Sequence, residues 1–141
     1  MKELRDNQRC YVCGKKNPAG LAVDFNIDRE TRSISARFIP ADIHQGYVGI
    51  VHGGILSALL DEAMAKLAYS LGIPAVTAEM TVKFKSPAAP GEELSVSGRL
   101  THETHRLIEA EAVIKKGLVV IAEAKGKLLR ISTEYKVQST E

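Results

Sequence analysis

The alternation of apolar and polar positions predicts two short strands near the start of the chain. Residues 21–27, Leu-Ala-Val-Asp-Phe-Asn-Ile, alternate with a period of two, as a half-buried strand does. Residues 34–38 repeat the alternation, and the segment Asp-Arg-Glu-Thr-Arg between the two runs is typical of a turn. These runs predict a β-hairpin that ends at Pro40, followed by a loop to Val51 that carries two glycines.

Residues 53–71 have the apolar spacing of a helix. Gly72 and Pro74 follow them in the order that ends a helix. The bulky apolar side chains fall on one broad stripe, which consists of Ile55, Leu56, Leu59, Leu60, Ala63, Met64, Leu67 and Leu71. The spacing therefore predicts one long helix with most of one side buried.

The rest of the chain is predicted to be strand, in the runs 76–85, 94–101, 107–114 and 119–131. Turn sequences such as Ser-Pro-Ala-Ala-Pro-Gly-Glu and Lys-Lys-Gly separate these runs. Strands joined by short turns are largely antiparallel, and a single apolar helix is best buried by a sheet that curls around it. We therefore expect an α+β fold of order β-β-α-β-β-β-β, in which an antiparallel sheet of about six strands, the last four of them a meander, wraps around one long central helix.

Composition disfavours several classes of partner. The 141 residues carry a formal net charge of +2 and only 5% aromatic residues, so neither a basic stripe nor a stacking platform for nucleic acid is indicated. No run approaches the roughly 18 apolar residues that span a bilayer, and the first residues lack the apolar core of a signal peptide. We expect a single cytoplasmic domain over residues 1–141, with a polar tail at about 1–9, that binds neither nucleic acid nor membrane.

The two cysteines, Cys10 and Cys13, lie in Cys-Tyr-Val-Cys-Gly and precede the turn sequence Lys-Lys-Asn-Pro-Ala-Gly. Structural zinc takes four ligands, and no second cysteine pair or close histidine pair follows. A thioredoxin-like pair would open a helix after a strand, which this sequence does not predict. The interpretation is therefore two reduced thiols in an N-terminal turn, with no metal in the site. Zinc shared between two subunits is the alternative.

Asp61 is an unusual residue for the interior of an apolar helix. On a helical wheel it lies away from the bulky stripe, on a line whose other members are small: Gly54, Ser57 or Ala58, Ala65 and Ala68. Such a line lets another backbone or a slender ligand approach, and it would partly desolvate the carboxylate. Glu62 faces the polar flank beside Lys66 and is predicted to be an ordinary solvated residue. A surface carboxylate, or a partner for a buried cation, is the alternative interpretation of Asp61.

The helix begins with His52, Gly53 and Gly54. Glycine lets a substrate come close to the backbone, and the first N–H groups of a helix have no partner within it. These groups carry the positive end of the helix dipole, so they can bind an anion or stabilise an oxyanion. His52 has a second interpretation, as a capping or packing residue. The predicted helix thus offers an anion site at its start and a carboxylate about two turns along.

Residues 46–64 resemble the signature of hotdog-fold acyl-CoA thioesterases of the PaaI-like, phenylacetate-degradation group. They read Gly-Tyr-Val-Gly-Ile-Val-His-Gly-Gly-Ile-Leu-Ser-Ala-Leu-Leu-Asp-Glu-Ala-Met. The likeness covers about residues 10–131. It includes the opening Cys-x-x-Cys-Gly-x-x-Asn-Pro-x-Gly-Leu and the run Thr-Ala-Glu-Met-Thr-Val-Lys-Phe-Lys-Ser-Pro-Ala-Ala-Pro-Gly-Glu at 77–92. The family's fold is a sheet wrapped around a central helix, the same order of elements that the periodicity predicts.

The resemblance implies hydrolysis of acyl-CoA to a free acid and coenzyme A, without a metal or organic cofactor. It implies Asp61 as the catalytic carboxylate, Gly53 or Gly54 as the N–H donor to the thioester carbonyl, and His52 as the motif histidine. Asp61 would be either a general base or a nucleophile. Members of the family form homodimers or dimers of dimers. Their sites lie at the dimer interface, where the histidine-glycine turn of one subunit faces the carboxylate helix of the other.

Two positions depart from the family pattern. Relatives often carry Asn or Gln six residues before the histidine, where this chain has Gly46 preceded by Gln45. They also often carry Ser or Thr one turn after the carboxylate, where this chain has Ala65. By the resemblance, these positions are candidate contacts for the water or the acyl group.

Basic residues on the strands are candidate partners for the coenzyme A phosphates. Lys83 and Lys85 are predicted to project from the same strand face as Thr77, and Arg99 from the neighbouring strand. Solvated charges on an exposed strand face are the alternative. Two further functions also remain open, a non-catalytic acyl-CoA-binding protein and a hotdog hydratase or dehydratase, although the latter needs a differently placed Asp-His pair.

Overall fold

One helix and a six-stranded antiparallel sheet make up most of the fold, as predicted. The computed structural model describes residues 2–131 and 135–137. Its elements are β1 (Lys2–Leu4), β2 (Asn26–Asp28), β3 (Ser33–Phe38), a short 3-10 helix (Asp42–His44), α1 (Gly53–Ser70), β4 (Ala75–Phe84), β5 (Leu94–Glu103), β6 (Leu107–Lys116), β7 (Val119–Arg130) and β8 (Tyr135–Val137). The large sheet has the strand order β2-β3-β5-β6-β7-β4, and every pairing in it is antiparallel.

Helix α1 lies across one face of the large sheet and contacts strands β3 to β7. Leu59, Leu60 and Met64 are fully buried between the helix and the sheet. Met64 approaches β7 so closely that a Cβ on Gly126 would lie 2.9 Å from its sulfur, so a side chain there would displace the end of Met64. The predicted apolar stripe is therefore the buried face. Within the described residues, no helix is long and apolar enough to cross a bilayer.

The C-terminus of α1 ends in a Schellman motif. Gly72 has a φ of +80°, which favours glycine. The N–H of Ile73 donates to the carbonyl of Ala68 at 2.9 Å, and the N–H of Gly72 to that of Tyr69 at 3.0 Å. These bonds satisfy carbonyls that the helix leaves unpaired, and they confirm the predicted helix end to within one residue.

Strand β4 does not take the place that a continuous meander would give it. Strands β5, β6 and β7 follow one another, but β4 lies at the edge beside β7, while β5 pairs with β3 on its other side. The connection from β4 to β5 is fastened at both ends. The N–H of Lys85 donates to the carbonyl of Ile121 in β7, and that of Gly91 to Pro40 after β3, each at 2.8 Å. The expectation of four consecutive antiparallel strands after the helix is confirmed, but these strands do not form a continuous meander, since β4 pairs with β7 and not with β5.

A β-bulge at Ala78 reverses the faces of β4. Thr77 pairs with Leu128 and Glu79 with Lys127, so Ala78 has no partner in β7. Thr77 consequently faces the helix, whereas Lys83 is exposed on the outer face. The prediction that these two side chains share a face was wrong, because period-two counting does not register the extra residue.

The N-terminal part of the chain is less regular than its alternation predicts. Of the first predicted strand, 21–27, only Asn26 and Ile27 pair with β3, together with the following Asp28. The preceding residues fold back on the cysteine turn, where Leu21 N–H donates to Tyr11 and Val23 N–H to Val12. Strand β1, within the segment expected to be a polar tail, pairs in parallel with β8.

The buried helix face predicts a large difference between two leucine variants. Leu60 is 0% exposed, whereas Leu118, in the turn between β6 and β7, is 97% exposed. Leu60→Ala should lower the free energy of unfolding by about 2–5 kcal/mol, since it leaves a cavity in the core. Leu118→Ala should change it by less than about 0.5 kcal/mol. Urea unfolding of both variants checks this, and equal effects would contradict the packing described.

Candidate active site

His52 caps the start of α1 with its own imidazole. Its φ of −61° and ψ of 133° are extended, and its Nδ1 accepts a hydrogen bond from the Gly54 N–H at 2.8 Å. A Cβ on Gly54 would lie 2.9 Å from this nitrogen, so a side chain there would displace the ring. The His52 N–H in turn donates to the carbonyl of His44 at 2.8 Å. His52 therefore acts as the N-terminal cap of the helix.

The Gly53 N–H is left available by this cap. Among the described residues, none accepts a hydrogen bond from it, whereas the Gly54 N–H is already used by His52. The ring of Phe84 lies beside Gly53, with two of its carbons 3.4 Å from the position of a Cβ. Of the two glycines predicted to donate to an oxyanion, the geometry therefore leaves Gly53.

The loop before the helix is shaped by Gln45 and Gly46. The Gln45 Oε1 accepts from the Gly49 N–H at 3.1 Å, and the Gly46 N–H donates to the carbonyl of Ile50 at 2.8 Å. A Cβ on Gly46 would lie 3.4 Å from the His52 side chain, in van der Waals contact with the cap. Both candidate substrate contacts thus lie next to the helix start, where they hold the loop closed.

Asp61 is half-buried, and a single hydrogen bond orients it. The Thr77 hydroxyl donates to Asp61 Oδ1 at 2.6 Å, across the gap between the helix and β4. Among the described residues, Oδ2 has no hydrogen-bond partner. The bulge at Ala78 makes this contact possible, since it turns Thr77 towards the helix. One carboxylate oxygen is therefore held and the other is available.

The line of small residues around Asp61 is shorter than predicted. Ala58 and Ala65 are half-buried, but Ala68 is fully buried in the core. Ala65 lines a cavity of about 560 Å³ on the side of the cysteine turn, together with Glu62 and Lys66. On one side of Asp61 the helix therefore contacts β4, and on the other side it contacts the N-terminal segment.

The two parts of the predicted catalytic set do not meet within one chain. Asp61 follows Gly53 by eight residues on the same helix, so their backbones lie about 12 Å apart along its axis. A reacting carbonyl and its water need both groups within about 3 Å. His52, Gly53 and Gly46 therefore form one group at the helix start, and Asp61 with Thr77 forms another.

The basic residues predicted to bind phosphates lie on the outer face of the sheet, away from the helix. Lys83 and Arg99 line a shallow depression of about 1050 Å³ there. Arg99 is on β5, which β6 and β7 separate from β4, so it is not on the strand next to Lys83 as predicted. Arg99 Nε lies 2.6 Å from Glu111, and Lys85 Nζ lies 3.7 Å from Glu123.

The cysteine turn folds against the middle of the helix, which the sequence did not predict. Glu62, expected to be solvated, is half-buried and accepts hydrogen bonds from both thiols. Burial and, to a lesser degree, the Glu62 carboxylate raise the pKa of the Cys13 thiol to about 12, although Lys66 opposes the shift. Nothing in the spacing of Cys10 and Cys13 indicates a partner 49 residues further along the chain.

Comparison with known proteins identifies a family. The family model described as Thioesterase superfamily matches residues 48–119, just over half of the chain, including the helix and its N-terminal cap. The human protein acyl-coenzyme A thioesterase 13 is 28% identical over 88 residues, which are 61% of this chain. The chain spans 59% of the length of that curated relative.

Solved structures share the fold. The E. coli PaaI protein, from the phenylacetic acid degradation operon, has a TM-score of 0.75 at 23% identity and covers 84% of each chain. A protein of Streptococcus mutans that was crystallised with acetyl CoA has a TM-score of 0.70 at 21% identity, over 76% of this chain and 86% of its own. The hotdog fold expected from the resemblance is confirmed.

The imidazole cap predicts a loss of stability on truncation. His52→Ala removes the acceptor of the Gly54 N–H and should lower the free energy of unfolding by about 0.5–1.5 kcal/mol. His52→Asn should restore part of this, because asparagine is a good capping residue. His105→Ala, at an exposed position between β5 and β6, is the control and should have little effect. Denaturant unfolding distinguishes these outcomes, and an equal loss in the control would contradict the cap.

Proposed function

The chain belongs to the thioesterase superfamily, and on that premise we propose that it hydrolyses acyl-CoA thioesters to a free acid and coenzyme A. The observation that supports this most is the state of Asp61, a half-buried carboxylate held through one oxygen by Thr77. The name of the human relative and the acetyl CoA bound by the S. mutans protein support the choice of a coenzyme A thioester.

The Gly53 N–H is the proposed donor to the thioester oxygen. When water or a carboxylate attacks the carbonyl carbon, negative charge develops on this oxygen. A backbone N–H at the start of a helix is fixed in position and carries the positive end of the dipole. Removing one such donor typically costs about a hundredfold or more in rate. His52 contributes by holding the turn, since its ring engages the neighbouring Gly54 N–H.

Asp61 is the proposed reacting carboxylate. Thr77 holds Oδ1, so Oδ2 can accept a proton from the attacking water or can attack the carbonyl carbon itself. In the first route the water oxygen forms the new bond and coenzyme A leaves as the thiol. In the second route Oδ2 bonds to the carbonyl carbon and expels coenzyme A as its thiolate, and water then hydrolyses the resulting mixed anhydride to the free acid and the Asp61 carboxylate. Both routes need the same orientation of the carboxylate, which the Thr77 hydroxyl supplies.

The complete site is proposed to need two copies of the chain. Within one copy, Gly53 and Asp61 are about 12 Å apart along the helix axis, too far to act on one carbonyl. The surface at the helix start is apolar and exposed, with Tyr47 at 84% and Val48 at 94%. A homodimer about a two-fold axis would cover these side chains and bring the Gly53 turn of each copy to Asp61 of the other. A dimer of dimers would contain the same sites.

Further residues are proposed to contact the acyl group and the coenzyme A phosphates. Gln45, Gly46 and Ala65 are proposed to border the acyl group, as the family pattern implies. Lys83 and Lys85 are the proposed partners of the coenzyme A phosphates, because both are exposed cations at the end of the strand whose Phe84 ring lies beside Gly53, although Lys83 projects from the outer face of the sheet. Arg99 is a weaker candidate, since it already pairs with Glu111 and lies on a strand further from β4.

The two free thiols suit a reducing compartment, so we place the reaction in the cytoplasm.

Asp61→Asn should abolish most of the hydrolysis without unfolding the protein. The substitution is nearly isosteric, so the contact with Thr77 can persist, while the base or nucleophile is lost. We expect kcat/KM to fall by about a hundredfold or more, measured with a thiol reagent on a panel of aromatic and fatty acyl-CoAs. Asp24→Asn, at an exposed carboxylate paired with Lys15, is the matched control and should behave as the parent.

Two results would contradict the proposed function. If Asp61→Asn keeps most of the parent's activity, the carboxylate is not the reacting group. If the parent binds acyl-CoAs without turnover, it is a binding protein. Hydration of an enoyl-CoA by the parent would instead indicate a hydratase.

Subunit mixing tests the shared site. Gly53→Pro removes the proposed donor from one variant, and Asp61→Asn removes the carboxylate from another. When equal amounts are unfolded and refolded together, half of the dimers should be mixed, each with one intact site and one doubly damaged site. Activity should therefore recover to roughly a quarter of the parent's from two inactive parents.

The structure supplies the controls for mixing. Proline is tolerated at the first position of a helix, and the extended His52 is compatible with a following proline. Gly53→Ala adds a side chain but keeps the N–H, so it should stay active where Gly53→Pro does not. Each variant refolded alone and a sizing column complete the set. If both variants are dimers and mixing restores nothing, each site lies within one chain.

A further inference from the structure

The two cysteines and Glu62 converge on one point beside the helix. Cys10 Sγ lies 3.0 Å from Glu62 Oε2, and Cys13 Sγ lies 3.6 Å from Glu62 Oε1. One ligand atom from each residue lies within 4.8 Å of the other two, and all three side chains are half-buried. Ligands bound to a single zinc ion lie about 3.6–3.8 Å from one another, given Zn–S and Zn–O distances of about 2.3 and 2.1 Å. The three atoms therefore need only small shifts to surround an ion.

The backbone of the turn holds the two cysteines in place independently of any metal. Gly14 N–H donates to the Cys10 carbonyl at 2.9 Å, and Lys16 N–H to that of Gln8 at 2.8 Å. A Cβ on Gly14 would lie 2.4 Å from the Cys10 nitrogen, so the turn closes too tightly for any other residue. A third ligand then comes from the helix, which sequence spacing alone did not reveal.

The surroundings of the three groups also suit a cation bound by thiolates. Lys66 Nζ lies 3.6 Å from Cys13 Sγ. Two thiolates and a carboxylate around a divalent ion leave a net charge of −1, which an ammonium group on a thiolate offsets as an outer-shell partner. The cavity of about 560 Å³ that opens beside the three residues provides an entry path and room for a water ligand.

From this geometry we propose that the chain binds one Zn²⁺ ion through Cys10 Sγ, Cys13 Sγ and a Glu62 carboxylate oxygen, with water as the fourth ligand. Thiolates favour zinc over the hard cations, and the tetrahedral geometry of zinc suits three protein ligands and a water. On binding, the two thiols each release a proton to solvent, and the S–H···O bonds to Glu62 are replaced by bonds to the metal. The ion fastens the N-terminal segment to the helix one residue from Asp61.

Zinc binding by the purified full chain tests this, in a buffer whose phosphine reductant keeps the thiols free. We expect one zinc per chain by mass spectrometry. When cobalt replaces zinc, we expect a thiolate-to-cobalt charge-transfer absorption band. The Cys10→Ser, Cys13→Ser double variant should bind none, and Glu62→Gln should bind more weakly in competition with a chromogenic chelator. Lys66→Met should lose about 10- to 100-fold in affinity, as is typical of an outer-shell partner.

Glu30→Gln, at an exposed carboxylate in the turn between β2 and β3, is the matched control and should bind as the parent does. Absence of stoichiometric zinc in the parent would overturn the proposal. Unchanged zinc affinity in Glu62→Gln would exclude Glu62 as a ligand. Half a zinc per chain would instead indicate a site shared between two copies of the chain. These readouts do not involve hydrolysis, so they stand or fall separately from the proposed function.

Discussion

Burial of one face of α1 against the sheet is the contact on which every other feature depends. Leu59, Leu60 and Met64 are fully buried there, and Gly126 in β7 leaves the space that Met64 fills. Because this face is apolar and closely packed, the helix can neither rotate nor slide without opening a cavity. The rotation of the helix therefore determines which neighbour each remaining side chain meets.

Asp61 and Glu62 show how strong that constraint is. Consecutive helical residues point about 100° apart, so two adjacent carboxylates face different elements. Asp61 meets the Thr77 hydroxyl of β4, while Glu62 meets the thiols of the N-terminal turn. One rigid helix thus presents a carboxylate proposed for acyl transfer and another proposed for metal binding. A substitution that shifts this turn of the helix at one flank would also change the contacts at the other flank, since Asp61 and Glu62 are adjacent.

The start of the helix is organised by local interactions instead. His52 caps Gly54, and Gln45 and Gly46 hold the loop that precedes them. All of these contacts join residues that are close in sequence, while the Val51 N–H anchors the turn to the distant carbonyl of Ala88 at 2.8 Å. The remaining Gly53 N–H is too far from Asp61 in the same chain, which makes association of two copies part of the proposed chemistry rather than an addition to it.

By itself, the sequence determined the features that depend on nearby residues. Period-two and helical spacing predicted the helix, its Gly72 terminus and most strands, and the motif from His52 to Asp61 indicated the family. The tertiary structure decided what spacing cannot encode. The bulge at Ala78 places Thr77 and Lys83 on opposite faces of the sheet. Strand β4 pairs with β7 at the edge of the sheet, and the cysteine turn contacts Glu62. Each of these three features depends on contacts between residues that are far apart in sequence, and these contacts form only when the core packs.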